Sequence, residues 1–243
     1  MVKSLSKKIL DTLTPARLKQ YFLAESNRNL MFGTISYSQE GEDLLLQRIF
    51  ERNESGFYVD IGAHHPERFS NTYLFYKKGW RGINIDAMPG SMDLFKDLRP
   101  DDINLEIPIS DKAQLLKYYI FNEKALNSFS SENAEKYILN GYKVENEIQL
   151  ETKRLDEVLG KYLSEGQEID FFSIDVEGLD YQVLLSNDWK KYRPKFVLIE
   201  DLGGKTIDEL LGEGISYKFM KENGYKLYAK TLNTLFFKDC IKE

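Results

Sequence analysis

The chain has 243 residues, 42% hydrophobic and 30% charged, with a formal net charge of −6. That balance suits one domain with a sizeable core and a short extension, and its acidity argues against a nucleic-acid binder, which draws affinity from clustered Lys and Arg. No apolar run approaches the ~20 residues that cross a bilayer, and none follows the basic start Met1–Lys8. The single cysteine, Cys240, offers neither a disulfide framework nor a thiolate zinc site, so the expected setting is the cytoplasm.

Residues 1–35 read as a helical extension, with amphipathic helices over Ser4–Leu13 and Pro15–Leu23 that could pack on the domain or join copies into a homo-oligomer. A further helix is expected near Glu40–Arg52, whose Leu44, Leu45, Leu46, Ile49 and Phe50 make a wide apolar face. Strand patterns then alternate with helical ones: strands Phe57–Ile61, Gly82–Asp86 and Ile103–Ile107, with helices Asn71–Lys78 and Ser91–Leu98 between them. Extended segments Leu115–Phe121 and Glu145–Arg154 flank a helix at Ser131–Asn140, and residues 112–153 read as an insertion that shapes the acceptor side of a site. The pattern resumes with strand Asp170–Asp175, helix Leu179–Leu185, strand Lys195–Glu200 and helix Ser216–Glu222. Tyr225–Lys230 and Asn233–Lys238 follow with almost no connection, so they must be antiparallel neighbours, because a parallel crossover needs about ten residues or more. The expected domain, residues 36–243, is therefore α/β, a mostly parallel seven-stranded sheet ending in an antiparallel hairpin, with helices on both faces.

The chemistry gathers at strand ends. Asp60-Ile61-Gly62-Ala63-His64-His65-Pro66 closes the first strand with one glycine where backbone can approach a ligand. The phosphate-cradling G-x-G-x-x-G and P-loop patterns are absent, which disfavours a nucleotide-sugar oxidoreductase. Asp86 ends the second strand, where a carboxylate can accept hydrogen bonds from a ribose diol; an Asp there can equally be a turn cap. Ser173-Ile174-Asp175-Val176-Glu177-Gly178 and Ile199-Glu200-Asp201 bring several carboxylates to one sheet edge, where a cation, a proton or a donor-rich ligand must relieve their repulsion. One of them, with Glu177 the candidate, is expected to cap the next helix. His64 and His65, the only histidines, suit proton removal near neutral pH or metal ligation. Were a divalent ion such as Mg²⁺ or Mn²⁺ bound, Asp175, Glu200 and His65 would be its ligands.

Taken together, Ser38-Gln39-Glu40-Gly41-Glu42-Asp43, Val59-Asp60-Ile61-Gly62-Ala63, Ser70-Asn71-Thr72, Gly79-Trp80-Arg81-Gly82, Arg154-Leu155-Asp156 and Ile174-Asp175-Val176-Glu177-Gly178 resemble the FkbM-type methyltransferases, S-adenosylmethionine-dependent O-methyltransferases of Rossmann-like class I fold. The resemblance implies that Asp60, Gly62 and Ala63 contact the methionine part of the cofactor, Asp86 the ribose, and Ile109, Ser110 and Asp111 the adenine edge, with Ser38 and Gln39 closing over it; Ala87 and Asp175 complete the expected cofactor-binding set. His64, Asn71 and Glu177 are expected beside the acceptor, with His65 or Asp175 as base. The family's usual loop after Gly-Ala is replaced by His64-His65-Pro66. Its members methylate sugars and natural products, so the expected acceptor is a hydroxyl of a nucleotide-linked sugar for a surface polysaccharide. A catalytically silent scaffold of the same fold is the alternative.

Overall fold

A computed structural model describes residues 33–202 and 205–241. The chain divides into two units, Met1–Ser36 and Tyr37–Glu243, and all the elements below belong to the second. The helices expected over Ser4–Leu13 and Pro15–Leu23 lie outside the described residues.

Helix α1 (Glu42–Ile49) leads into β1 (Phe57–Ile61), followed by α2 (Tyr73–Lys77), β2 (Arg81–Asp86), α3 (Ser91–Leu98) and β3 (Ile103–Glu106). Next come β4 (Leu115–Phe121), a 3₁₀ turn at Lys124–Leu126, α4 (Ser131–Leu139) and β5 (Val144–Glu151). The alternation resumes with α5 (Leu155–Tyr162), β6 (Phe171–Ile174), α6 (Asp180–Leu185) and β7 (Phe196–Glu200). Helices α7 (Ile207–Glu213) and α8 (Ile215–Glu222) and strands β8 (Tyr225–Lys230) and β9 (Thr234–Asp239) complete the fold.

Seven strands form one sheet in the order β3-β2-β1-β6-β7-β9-β8, while β4 and β5 pair separately. Strands β3, β2, β1, β6 and β7 are parallel, and β9 runs antiparallel to both β7 and β8. The expected α/β architecture with its terminal hairpin is the one observed. Because the chain runs outward from β1 to β3 and then returns to β6 on the other side of β1, the strand order reverses between β1 and β6, which is where open α/β sheets bind ligands.

Alternation along each strand feeds two cores. Phe172 and Ile174 of β6 join Val59, Ile61, Val197 and Ile199 in a layer with Leu155, Val183, Leu210 and Met220 of the helices on that face. Phe171, Tyr58 and Phe196 point the opposite way, against Leu46, Phe50, Phe75 and Trp80. The helices are too short, five to nine residues, to be stable in isolation. Each fully buried Leu, Ile or Phe contributes roughly 1.5–3 kcal/mol, so packing on the sheet, not helix propensity, holds them. No helix among the described residues is long and apolar enough to cross a membrane.

Candidate functional site

A cavity of about 540 Å³ opens at the carboxyl ends of β1, β2 and β6, a volume within the range of small-molecule and cofactor sites. Gly62 lies at its centre. With φ +87° and the carbonyl oxygen of Asp175 only 1.6 Å from where a Cβ would stand, no other residue allows the ends of β1 and β6 to pass so closely. The Gly62 and Ala63 amides both donate to the Ile85 carbonyl (2.9 and 3.0 Å), and Asp175 N–H donates to the Ile61 carbonyl (2.9 Å), which ties the three strand tips together.

The loop leaving β1 is held in an uncommon shape. His64 (φ 49°), Phe69 (φ 58°) and Glu177 (φ 52°) are the non-glycine residues with positive φ among those described, and all three line this cavity. For a bulky side chain such a conformation costs free energy and persists only where surrounding contacts impose it, and such residues cluster at functional sites. Those contacts are visible. Asp86 accepts the His64 amide through Oδ2 (2.9 Å) and the Met88 amide through Oδ1 (2.8 Å), so it locks the loop as well as facing the cavity. Burial pushes its carboxyl above the ordinary range. His65 Nδ1 accepts the Glu67 and Arg68 amides, both at 3.0 Å. That fixes the imidazole with its hydrogen on Nε2, so as the loop stands His65 has no nitrogen free to take a proton or ligate a metal. His64 lines the cavity with its Nε2 unpartnered and buried, and desolvation pushes its pKa down, keeping the ring neutral.

Beneath the loop runs a buried network. Arg99, fully buried, donates to Asp102 (3.0 Å), Tyr58 (2.6 Å), Thr72 (3.0 Å) and the Pro66 carbonyl (3.4 Å). Thr72 in turn donates to Asp60 (2.7 Å). Asp60 is thus a buried support of the loop and does not line the cavity; desolvation raises its pKa.

On the other side Asp175, Glu177 and Glu200 converge, with one carboxylate oxygen of each within 4.8 Å of the others. Burial, reinforced by the charge of Glu200, raises Asp175. Burial likewise lifts Glu177 to about 7 and, helped by the Glu177 charge, Glu200 to about 8. Glu200 also carries a buried oxygen without a partner. His65 is not in this set, so the expected ligand trio Asp175, Glu200 and His65 is not assembled; Glu177 stands in its place. Nor does Glu177 cap α6: its carboxylate accepts the Tyr137 hydroxyl, and Asp180 accepts the Val176 and Gly178 amides (3.1 and 3.2 Å). Ser128 and Asn133 donate to the Glu177 carbonyl, so the insertion grips this residue through its backbone too.

The remaining expected residues divide. Gln39, Gly62, Ala87, Asp86 and Asp175 line the cavity. Ser38 instead hydrogen-bonds Asp43 (2.9 Å). Ala63 packs on Met92 and Phe95. Asn71 donates to Ser173 (3.0 Å) and borders an adjoining small recess with Glu200. Ser110 is fully buried and bonded to Asp111 (3.1 Å), leaving Ile107 and Ile109 as the wall on that side. Several lining residues carry no signal of their own in the sequence: Arg68 and Phe69 after β1, and Tyr118, Asn122 and Lys124 from the insertion.

The profile of the methyltransferase FkbM domain matches residues 60–227. The chain therefore belongs to the FkbM methyltransferase family, and its sheet is that of the Rossmann-like class I enzymes. Its methyl donor is S-adenosylmethionine. Among solved structures it is similar to a TehB-like SAM-dependent methyltransferase from Corynebacterium glutamicum (12% identity, 93% of this chain and 100% of that one, TM-score 0.40). It is also similar to an O-methyltransferase from Bacillus cereus in complex with SAH (12% identity, 96% of each chain, TM-score 0.38). No curated protein matches the chain. The cavity's own chemistry fits the donor: Asp86 beside the apolar Ile107 and Ile109 suits a ribose and a flat base, and the carboxylates at Asp175 suit a cation.

Proposed function

We propose that this enzyme methylates a hydroxyl oxygen of a small acceptor, a sugar in nucleotide-linked form destined for a surface polysaccharide. The observation that carries the reading is the confluence of His64, Phe69 and Glu177, each held at positive φ, around one cavity that also contains Gly62, Asp86 and Asp175. S-adenosylmethionine, when bound, supplies an electrophilic methyl on a sulfonium sulfur. The chain's own residues do the rest. Asp86 would hold the ribose diol, the close crossing at Gly62 keeps the tips of β1 and β6 clear for the donor, and the carboxylates around Asp175 would hold its cationic part. The principal contribution is orientation, which can supply a large share of the barrier reduction in a two-substrate transfer.

Deprotonation of the acceptor falls to His64, whose ring is neutral and whose Nε2 has no other partner. Asp175 is the second candidate: it lies buried beside Glu200, whose charge raises its proton affinity, so the two titrate as one unit and the ionised member of the pair would be the proton acceptor. The same carboxylates, Asp175, Glu177 and Glu200, would be the ligands of a divalent ion, were one required. The test is acceptor-dependent release of S-adenosylhomocysteine across a panel of nucleotide-linked sugars, with and without exhaustive chelation. Turnover on one of them supports the reading, no turnover on any sugar together with intact donor binding supports the scaffold, and full activity after chelation removes the metal.

A further inference from the structure

The acceptor end of the cavity is built where the loop after β1 meets the insertion, and the two are joined there by one ion pair. Arg68 donates to both carboxylate oxygens of Glu123, at 3.1 and 3.4 Å. Its guanidinium lies over the Phe69 ring, 4.2 Å from the centroid, and Arg68, Phe69 and Glu123 all line the cavity. Three features distinguish this pair from an ordinary surface contact, and a fourth makes it exchangeable. Phe69 is held at φ 58°, a conformation bulky residues avoid, and it is 40% exposed, so the fold maintains an unfavourable backbone to present a ring it does not bury. That ring presents the guanidinium as a flat, oriented fork. The Arg68 amide is itself fixed by His65 Nδ1 (3.0 Å), so the fork is set on the same loop as the proposed base. Finally, the side chains of Arg68 and Glu123 stay 48% and 36% exposed, a regime in which an ion pair contributes little net stability and exchanges partners readily.

We propose that Arg68 recognises an oxyanion on the acceptor, and that Glu123 is a placeholder the acceptor displaces. A phosphate or carboxylate matches the guanidinium in the two-pronged geometry that Glu123 uses in its absence. Glu123 has other employment when released, since it already accepts the Ala125 amide (3.3 Å) at the start of the 3₁₀ turn. Lys124 adds a second cation on the cavity wall, and its pairing with Glu145 (2.7 Å) is again half-exposed. This inference rests on the methyl-transfer reading of the cavity and deepens it, because it fixes the acceptor as anionic near its reacting ring. Sugar nucleotides and free sugar acids share that chemistry.

The experiment is calorimetric titration of the full chain, saturated with S-adenosylhomocysteine, with three probes: UDP as a diphosphate, glucuronate as a carboxylate and uridine as the neutral control. The expected result is that R68Q weakens UDP or glucuronate by about tenfold or more without moving uridine or S-adenosylhomocysteine. E123Q should do the opposite and tighten the same oxyanion by about threefold, since it removes the competitor and keeps the shape. The probe that responds distinguishes a phosphate source from a carboxylate source. If E123Q weakens all three probes alike, or if neither variant alters either oxyanion, the pair is a structural latch and the proposal is overturned. A wild-type chain that fails to bind S-adenosylhomocysteine at the outset overturns instead the reading on which it rests.

Discussion

The main-chain oxygen of Asp175 occupies the place where a side chain on Gly62 would begin, 1.6 Å from its ideal Cβ. Two parallel strands whose ends carry the candidate chemistry are thus in backbone contact, and the geometry of the cavity depends on that contact.

Gly62→Ala meets both a positive φ and a main-chain collision, whereas Gly79→Ala, at φ +92°, meets open space. The strain of φ alone is about 1 kcal/mol. Gly79→Ala should therefore lower stability by about that much and leave donor affinity unchanged, while Gly62→Ala should cost several times more and abolish donor binding. Denaturant unfolding and calorimetry on both variants check the contrast; equal losses would mean that the close crossing is not what shapes the cavity.

The raised carboxyls of Asp175, Glu177 and Glu200 carry a signed pH dependence. Each takes up its proton more readily folded than unfolded; for Glu177 and Glu200 the favourable term is complete below the unfolded value of 4.5 and is lost as pH rises through about 7 and about 8, and burial of Asp175 acts in the same direction. The ligand-free chain should melt at progressively lower temperature from pH 5 to pH 8.5, and Glu200→Gln should flatten that slope. A melting temperature that climbs over this interval in the wild type would contradict the cluster's assignment as proton-holding.

His64 and His65 should separate cleanly. His64→Ala is expected to lower kcat by about 10²- to 10⁴-fold with donor affinity retained. The wild-type rate should rise with pH through a value below the usual histidine range and then level, because burial keeps His64 neutral. His65→Asn should stay near wild type, since an Asn oxygen can accept the Glu67 and Arg68 amides in place of Nδ1, whereas His65→Ala should release the loop and raise KM. Steady-state kinetics on the three variants decide it, and a collapse of kcat in His65→Asn would restore His65 as the base.

Arg99→Met removes the one cation from a buried set that includes Asp102, Tyr58 and Thr72. Leaving buried Asp102 without its cation, held only by neutral donors from Tyr58, Gly82 and Asn84, should cost about 3–5 kcal/mol, read as a lower denaturant midpoint at unchanged slope. A change within 1 kcal/mol would mean that the network is solvated through the loop.

Much of this fold was legible because the sheet's residues repeat with period two on both faces, as in Phe171-Phe172-Ser173-Ile174, and because the short link between β8 and β9 leaves no room for a crossover. Helix α5 lies outside the expected elements although Leu155, Val158, Leu159 and Tyr162 stand at helical spacing, right after the Arg154-Leu155-Asp156 motif. There the motif has a structural meaning: Arg154 pairs with Asp156 and donates to the Asp111 carbonyl (2.7 Å), fixing the turn after β3. Helix α7, outside the expected elements, is marked by the capping box of Thr206 and Glu209 and by Ile207, Leu210 and Leu211 at helical spacing. At the site, strand-end residues Gly62, Asp86 and Asp175 could be found because topology alone delivers them to one edge. Asp60 and His65 could not be sorted from them, since whether a polar group faces a cavity or serves the backbone depends on partners twelve or three residues away. Arg68 and Phe69 were invisible because their role depends on Glu123, 55 residues further along the chain.

The most direct test of a donor site at the β1–β6 switch is titration of S-adenosylmethionine into the purified full chain, followed by calorimetry and by melting temperature. Saturable one-to-one binding, a rise in melting temperature with ligand concentration, competition by S-adenosylhomocysteine and loss of all three in Gly62→Ala are the predicted result. No heat and no thermal shift at millimolar donor would contradict it.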